Sequence, residues 1–209
     1  MKKPLSFLAL GDSYTIGEGV SESESWPVLM ASKLSENGIP VDPPVIIAKT
    51  GWTTNELSDG IMESNPEGPF DLVSLLIGVN NQYRHLDPET YRTEFTGLLD
   101  EAIFFADKIP FHVLVFSIPD WGVTPFAKDR NPEKISEEID RFNTINREES
   151  KKRRVNYVDI TTFSREVKDD ISFLAGDLLH PSGKSYEKWA ALALSILLPV
   201  LKEESENEN

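Results

Sequence analysis

Residues 7–14 read Phe7-Leu8-Ala9-Leu10-Gly11-Asp12-Ser13-Tyr14: four apolar residues running without alternation into a Gly-Asp-Ser turn. A strand with one wet face alternates apolar and polar positions, whereas an unbroken apolar run fits a strand buried on both faces, as in a parallel sheet covered by helices. Four further runs have the same character: Val45 to Ala48, Leu72 to Ile77, Val113 to Phe116 and Val155 to Ile160. Helical patterns lie between them. Asp87-Pro88 supplies an N-cap and a first-turn proline ahead of Tyr91, Phe95, Leu98, Leu99 and Ala102, and Asn131-Pro132 does the same ahead of Ile135, Ile139 and Phe142. The last pattern, from about Ser182, places Tyr186, Trp189, Ala190, Ala193, Leu194, Leu197 and Leu201 on one stripe, and Pro199 is expected to kink or end its final turn. Parallel neighbours need right-handed crossovers, which put helices on both faces of the sheet. The alternation therefore predicts the α/β class, a doubly wound three-layer α/β/α sandwich.

A chain of 209 residues suits one domain with a single core, read here as residues 1–201, because splitting becomes usual only above about 250 residues. Residues 202–209, Lys-Glu-Glu-Ser-Glu-Asn-Glu-Asn, have the composition of a disordered acidic tail. The formal charge of −14 argues against nucleic acid and anionic membrane surfaces as partners, since both repel such a surface at long range. The basic run Lys151 to Arg154 reads as a solvated helix end favoured by the helix dipole. Without cysteine there is no disulfide framework, thiolate metal site or cysteine nucleophile. Met1-Lys2-Lys3 followed by Leu5 to Leu10 has the outline of a signal peptide, but its short apolar part leads straight into Gly11-Asp12-Ser13, and cleavage there would remove the turn. No apolar stretch reaches the 18 or so residues needed to span a bilayer, so a cytoplasmic protein without membrane insertion is expected. The oligomeric state is open.

Ligands of open α/β sheets bind beyond the carboxyl ends of the strands, so the residues following each run carry the chemistry. These are Gly11-Asp12-Ser13-Tyr14, then Lys49-Thr50-Gly51-Trp52, then Gly78-Val79-Asn80-Asn81, and, before the last helix, Asp177-Leu178-Leu179-His180. Acyl transfer needs a hydroxyl nucleophile, an imidazole to take its proton, a carboxylate to orient the imidazole, and donors where charge develops on the carbonyl oxygen. Ser13, His180 and Asp177 supply the first three. The N–H groups of Ser13 and Gly51 and the Asn80 amide would supply the oxyanion hole. Each piece alone has an ordinary reading: Gly-Asp-Ser, Gly51 and Asn80 are common turn residues, and His180 could be an exposed residue ahead of a helix capped by Ser182. Only three histidines are available. His112 opens an apolar strand, and His85, in Gln82-Tyr83-Arg84-His85, has no acid at comparable spacing. A metal site is not expected, because no His-Glu-x-x-His pattern or histidine cluster accompanies Asp177 and His180. Gly17 to Gly19 lacks the Gly-Lys-Ser/Thr ending of a phosphate loop.

Gly11-Asp12-Ser13, Gly51, Gly78-Val79-Asn80 and Asp177-Leu178-Leu179-His180, in that order over residues 11–180, resemble the four blocks of the SGNH (GDSL-like) hydrolases. The resemblance implies a flavodoxin-like, five-stranded parallel sheet and a serine-dependent carboxyl-ester hydrolase working through an acyl-enzyme, with a small-molecule ester as substrate and neither metal nor cofactor. Two positions depart from the family pattern. The third block usually ends in aspartate, and Asn81 stands there; the first ends in Tyr14 rather than leucine. Tyr14, Trp52, Asn81, Trp121 and Phe126 are the candidate substrate-binding residues, and the long segments 117–131 and 161–181 are candidate functional loops. The same triad could serve a lipase, lysophospholipase or thioesterase, or a carbohydrate O-acetyl esterase; an open polar cleft beside Trp52 and Trp121 would favour the sugar, and a deep apolar slot a long acyl chain. A catalytically silent ligand-binding module on the same fold is the reading from a different class.

Overall fold

A computed structural model describes residues 3–207. Met1 and Lys2, where the basic start was read, and Glu208 and Asn209 of the acidic tail lie outside those residues. The elements run β1 (Phe7–Asp12), α1 (Ser13–Ile16), α2 (Trp26–Glu36), β2 (Val45–Lys49), α3 (Thr54–Ser64), β3 (Leu72–Leu76), α4 (Val79–Tyr83), α5 (Pro88–Phe105), β4 (Val113–Phe116), α6 (Pro132–Arg153), β5 (Asn156–Val158), α7 (Thr161–Ser164) and α8 (Gly183–Asn207). The five apolar runs are the five strands, all parallel, in the order β2-β1-β3-β4-β5.

That order has a consequence for the site. From β1 the chain steps outward to β2, returns across β1 to β3, and then proceeds to β4 and β5. Strand order therefore reverses between β1 and β3, and the turns leaving those two strands diverge to open a crevice at their carboxyl ends. Gly11 pairs in register with Leu76 of β3, so Ser13 emerges beside the turn that carries Asn80. Glycine is required at 11: a Cβ there would lie 2.6 Å from the Leu76 carbonyl oxygen and 2.1 Å from Thr15 Oγ1.

Strands β1, β3 and β4 are buried along their whole lengths, as the unbroken apolar runs predict. β2 differs, with Val45 and Lys49 exposed, because it forms the sheet's edge and only its middle is covered. α2 packs on α8 in one helical layer, and α3, α5 and α6 pack side by side in the other. Trp26 of α2 lies on Phe116 of β4 at 4.2 Å between ring centroids, while Tyr91 of α5 lies on Phe142 of α6 at 4.6 Å. Helix starts follow the sequence signals: Asp87 accepts from the Thr90 N–H and Asn131 from the Lys134 N–H, each followed by proline in the first turn. The basic run closes α6, where Lys152 and Arg153 pair with Glu149, and Arg153 also pairs with Asp100.

The structure departs from expectation at the last helix. Pro199 does not end it, and α8 continues through Asn207 past the expected boundary at Leu201. A proline frees the carbonyl of the residue four positions earlier. Here that residue, Ser195, and Pro199 itself both face solvent, so water can take the lost bond. Among the described residues no helix is long and apolar enough to cross a membrane.

Candidate active site

Ser13 is the first residue after β1, at the start of the single turn α1. Asp12 is its N-cap, accepting from the Tyr14 N–H at 3.0 Å, and Gly17 closes the turn in the left-handed conformation. Asp12 has no solvent exposure. Burial pushes its carboxyl up to about 7, against the pull of the backbone hydrogen bond from Tyr14. An acid whose pKa is raised by folding binds its proton more tightly in the folded chain, here between pH 3.8 and about 7. Stability should then fall as pH rises through that window, by up to ~1.4 kcal/mol per pH unit. Asp12→Asn keeps the Oδ1 acceptor and removes the titration. Its urea midpoint is expected to stay flatter than that of the wild type over the window, and parallel curves for the two proteins would contradict the assignment.

His180 reaches Ser13 from the far end of the chain. Its Nε2 lies 3.0 Å from Ser13 Oγ and its Nδ1 lies 2.6 Å from Asp177 Oδ2. The other oxygen of Asp177 accepts from the backbone N–H groups of Leu179 and His180, at 3.0 and 2.9 Å. One carboxylate thus holds both the imidazole and the turn that presents it. Burial pulls the Asp177 carboxyl upward, but these hydrogen bonds and the facing imidazole outweigh it and leave its pKa below the ordinary value. Leu178, between acid and base, has φ +61°, uncommon for a bulky residue, and the Asp177 hydrogen bonds hold it there. A carboxylate on Nδ1 selects the tautomer with its proton on that nitrogen, so Nε2 offers a lone pair to the Ser13 hydroxyl. Ser182, directly ahead of α8, accepts from the Ser185 and Tyr186 N–H groups through its carbonyl and donates its hydroxyl to the Ser172 carbonyl.

Gly51 and Asn80, the expected oxyanion donors, follow β2 and β3 and line the same cavity as Ser13 and His180. Gly51 has φ +82°, a conformation glycine adopts without strain, and its carbonyl accepts from the Arg84 guanidinium. The Asn80 amide donates one hydrogen bond to the Trp52 carbonyl at 3.0 Å, which ties the two turns together. An amide has a second N–H to offer. A cavity of about 160 Å³ opens here, lined by Ser13, Gly51, Asn80 and His180 and walled by Tyr14, Val79, Tyr83, Trp121, Phe126 and Leu179. Tyr14, Trp121 and Phe126 therefore stand where the sequence reading expected a substrate wall. Trp121 is held by the bond from its indole N–H to Gln82 and by Asp120, whose buried carboxylate accepts from Gly122 N–H, Ser136 and Arg165.

Two expected wall residues lie elsewhere. The Trp52 indole packs onto Gly60 of α3 rather than into the cavity. Asn81 is fully buried and bonds only inward: its Oδ1 accepts from the Thr54 N–H at 3.1 Å, its Nδ2 donates to Thr54 Oγ1 at 2.7 Å, and that hydroxyl donates to Glu94. This explains the asparagine. An aspartate could accept from the Thr54 N–H but could not donate to Thr54 Oγ1, and it would add a carboxylate to a hydroxyl already serving Glu94. Asn81→Asp is accordingly expected to destabilise the fold by ~1–3 kcal/mol, seen as a lower urea midpoint; an unchanged midpoint would refute this account. Thr50, Val79, Tyr83 and Leu179 complete the cavity lining without having been singled out as binding residues.

The profile of the GDSL-like lipase/acylhydrolase family matches residues 9–188. Among curated proteins no relative matches the chain. Among solved structures the fold is similar to that of TesA, at 18% identity over 93% of this chain and 98% of that one, with a TM-score of 0.72. It is also similar to a lipase/acylhydrolase from Enterococcus faecalis, at 19% identity over 91% and 94% of the two chains, TM-score 0.68. The psychrotrophic esterase EstA from Pseudoalteromonas sp. matches at 15% identity over 94% and 98%, with the same TM-score of 0.68.

Proposed function

The chain belongs to the GDSL-like lipase/acylhydrolase family, and from that premise we propose that it is a serine-dependent carboxyl-ester hydrolase acting through an acyl-enzyme on Ser13. The observation that carries this reading is the unbroken Ser13–His180–Asp177 hydrogen-bond relay at the base of a cavity, assembled from residues 167 positions apart. Ser13 Oγ attacks the ester carbonyl carbon as His180 Nε2 takes its proton. Asp177 stabilises the imidazolium that forms. The carbonyl oxygen, now negative, accepts from the Ser13 and Gly51 N–H groups and from the second Asn80 amide N–H, which stabilise the charge as it develops. His180 returns the proton to the departing alkoxide, and the alcohol leaves. Water then repeats the sequence against the acyl-enzyme, restoring the Ser13 hydroxyl and releasing the acid.

An ester with an apolar chain suits this cavity better than an acetylated sugar. The wall is largely apolar, with Tyr14, Val79, Tyr83, Trp121, Phe126 and Leu179 beside Thr50, and Trp52, which a sugar platform would share with Trp121, is turned away onto Gly60. A phosphonate probe tests the serine directly, and the Pseudoalteromonas neighbour is a phosphonate-inhibited esterase. Incubation with an alkyl fluorophosphonate is expected to add one phosphonyl group, located on Ser13 by peptide mass spectrometry. Absence of an adduct on the folded protein would favour the silent binding module instead.

A further inference from the structure

A second cavity lies behind the first. It is apolar in large part, with Val167, Phe173, Leu174 and Trp189 among its walls, and its volume of about 20 Å³ has room for about one water. The cavity that contains Ser13 is about 160 Å³, and the two share three lining residues: Tyr14, Trp121 and Leu179. These three form the partition between them. Two are tied to other tasks. The Tyr14 ring packs on His180 at 5.2 Å between centroids, and the Trp121 indole N–H is bonded to Gln82 at 2.7 Å. Leu179 has no polar atom in its side chain, is only half-buried, and is set in place through its backbone by Asp177.

We propose that Leu179 is the specificity-determining partition of this site: it stops an unbranched aliphatic chain of the ester at the first cavity and separates it from the second, which would otherwise extend it. The inference rests on the ester-hydrolase reading. A chain longer than the first cavity accepts must leave its terminal methylenes in water and gains nothing from them, whereas each methylene buried would raise kcat/KM about fourfold. Val167 lines only the second cavity and is itself buried, so it can close the extension independently of Leu179.

The test measures kcat/KM over two series: p-nitrophenyl acetate, butyrate, hexanoate and octanoate, which lengthen the acyl chain, and acetates of graded unbranched alcohols, which lengthen the other half. The wild type should lose preference beyond the shorter members. Leu179→Ala should raise the longest ester relative to butyrate by about tenfold or more, the yield of two or more newly buried methylenes. Leu179→Val, a smaller cut less demanding of the fold, should give a smaller gain in the same direction. Adding Val167→Phe to Leu179→Ala fills the second cavity and should abolish the gain. The series that responds identifies which half of the ester uses the extension. Unmoved chain preference in both series, or a gain that survives Val167→Phe, overturns the partition while leaving the hydrolase reading intact. A folded wild type that cleaves none of these esters overturns both.

Discussion

Ser13→Ala is expected to lower kcat for p-nitrophenyl butyrate by about 10⁶-fold with urea and thermal unfolding close to wild type. The substitution removes one oxygen whose hydrogen bond runs to His180 Nε2 and leaves the N-cap made by Asp12 and the left-handed closure at Gly17 untouched. Alanine is the best helix former, so α1 has no reason to unwind. What the variant loses is the covalent route itself. The oxyanion donors and the cavity survive, and they account for the residual acceleration over water that such variants retain. A folded variant keeping more than about a hundredth of wild-type turnover would exclude Ser13 as nucleophile.

Asp177→Asn carries the second largest effect, about 10⁴-fold in kcat. The amide is nearly isosteric, so the loss is a matter of proton bookkeeping. Asp177 uses one oxygen for two backbone N–H groups and the other for His180 Nδ1. If the amide keeps its oxygen toward the backbone, its NH₂ faces Nδ1, draws that lone pair, and drives the ring proton onto Nε2. Nε2 then has nothing with which to accept the Ser13 proton. If the amide flips, the Leu179 and His180 N–H groups lose their acceptor and the turn loosens. The carboxylate's depressed pKa sets the pH range of its contribution: that stabilisation is present above the unfolded value and is lost as pH falls through the lower folded one. In the pH range where imidazole is neutral, Asp177 is therefore ionised, and the deficit of the variant should persist from about pH 6 to pH 9. A deficit below tenfold across that range would remove Asp177 from the relay.

The limits of the linear reading are instructive at particular residues. Trp52 and Asn81 lie within a few residues of a strand's carboxyl end, as the cavity-lining Tyr14 does, and strand-end position cannot distinguish them. Trp52 turns onto Gly60 of the following helix, and Asn81 turns onto Thr54, whose hydroxyl is itself bonded to Glu94, because partners outside the local turn are waiting there. Leu179 escaped notice for the opposite reason. It sits between the acid-bearing turn and the base, and only the packing of Trp121, 58 positions away, against the same cavity gives it a role.

What the sequence by itself determined is the part governed by short range and by period: five apolar runs, capped helices between them, and the residue types for acyl transfer at strand ends. Such signals are written within a few turns of chain, where backbone sterics and burial act directly. Tertiary structure alone decided the rest. The strand order opened the crevice between β1 and β3, and the crevice brought Ser13 within 3.0 Å of His180 across the length of the chain. The direction each loop side chain takes is set by which distant groups leave room or offer a hydrogen bond. For that physical reason Ser13, legible at once as a candidate, meets His180 and a shaped cavity only in the folded molecule.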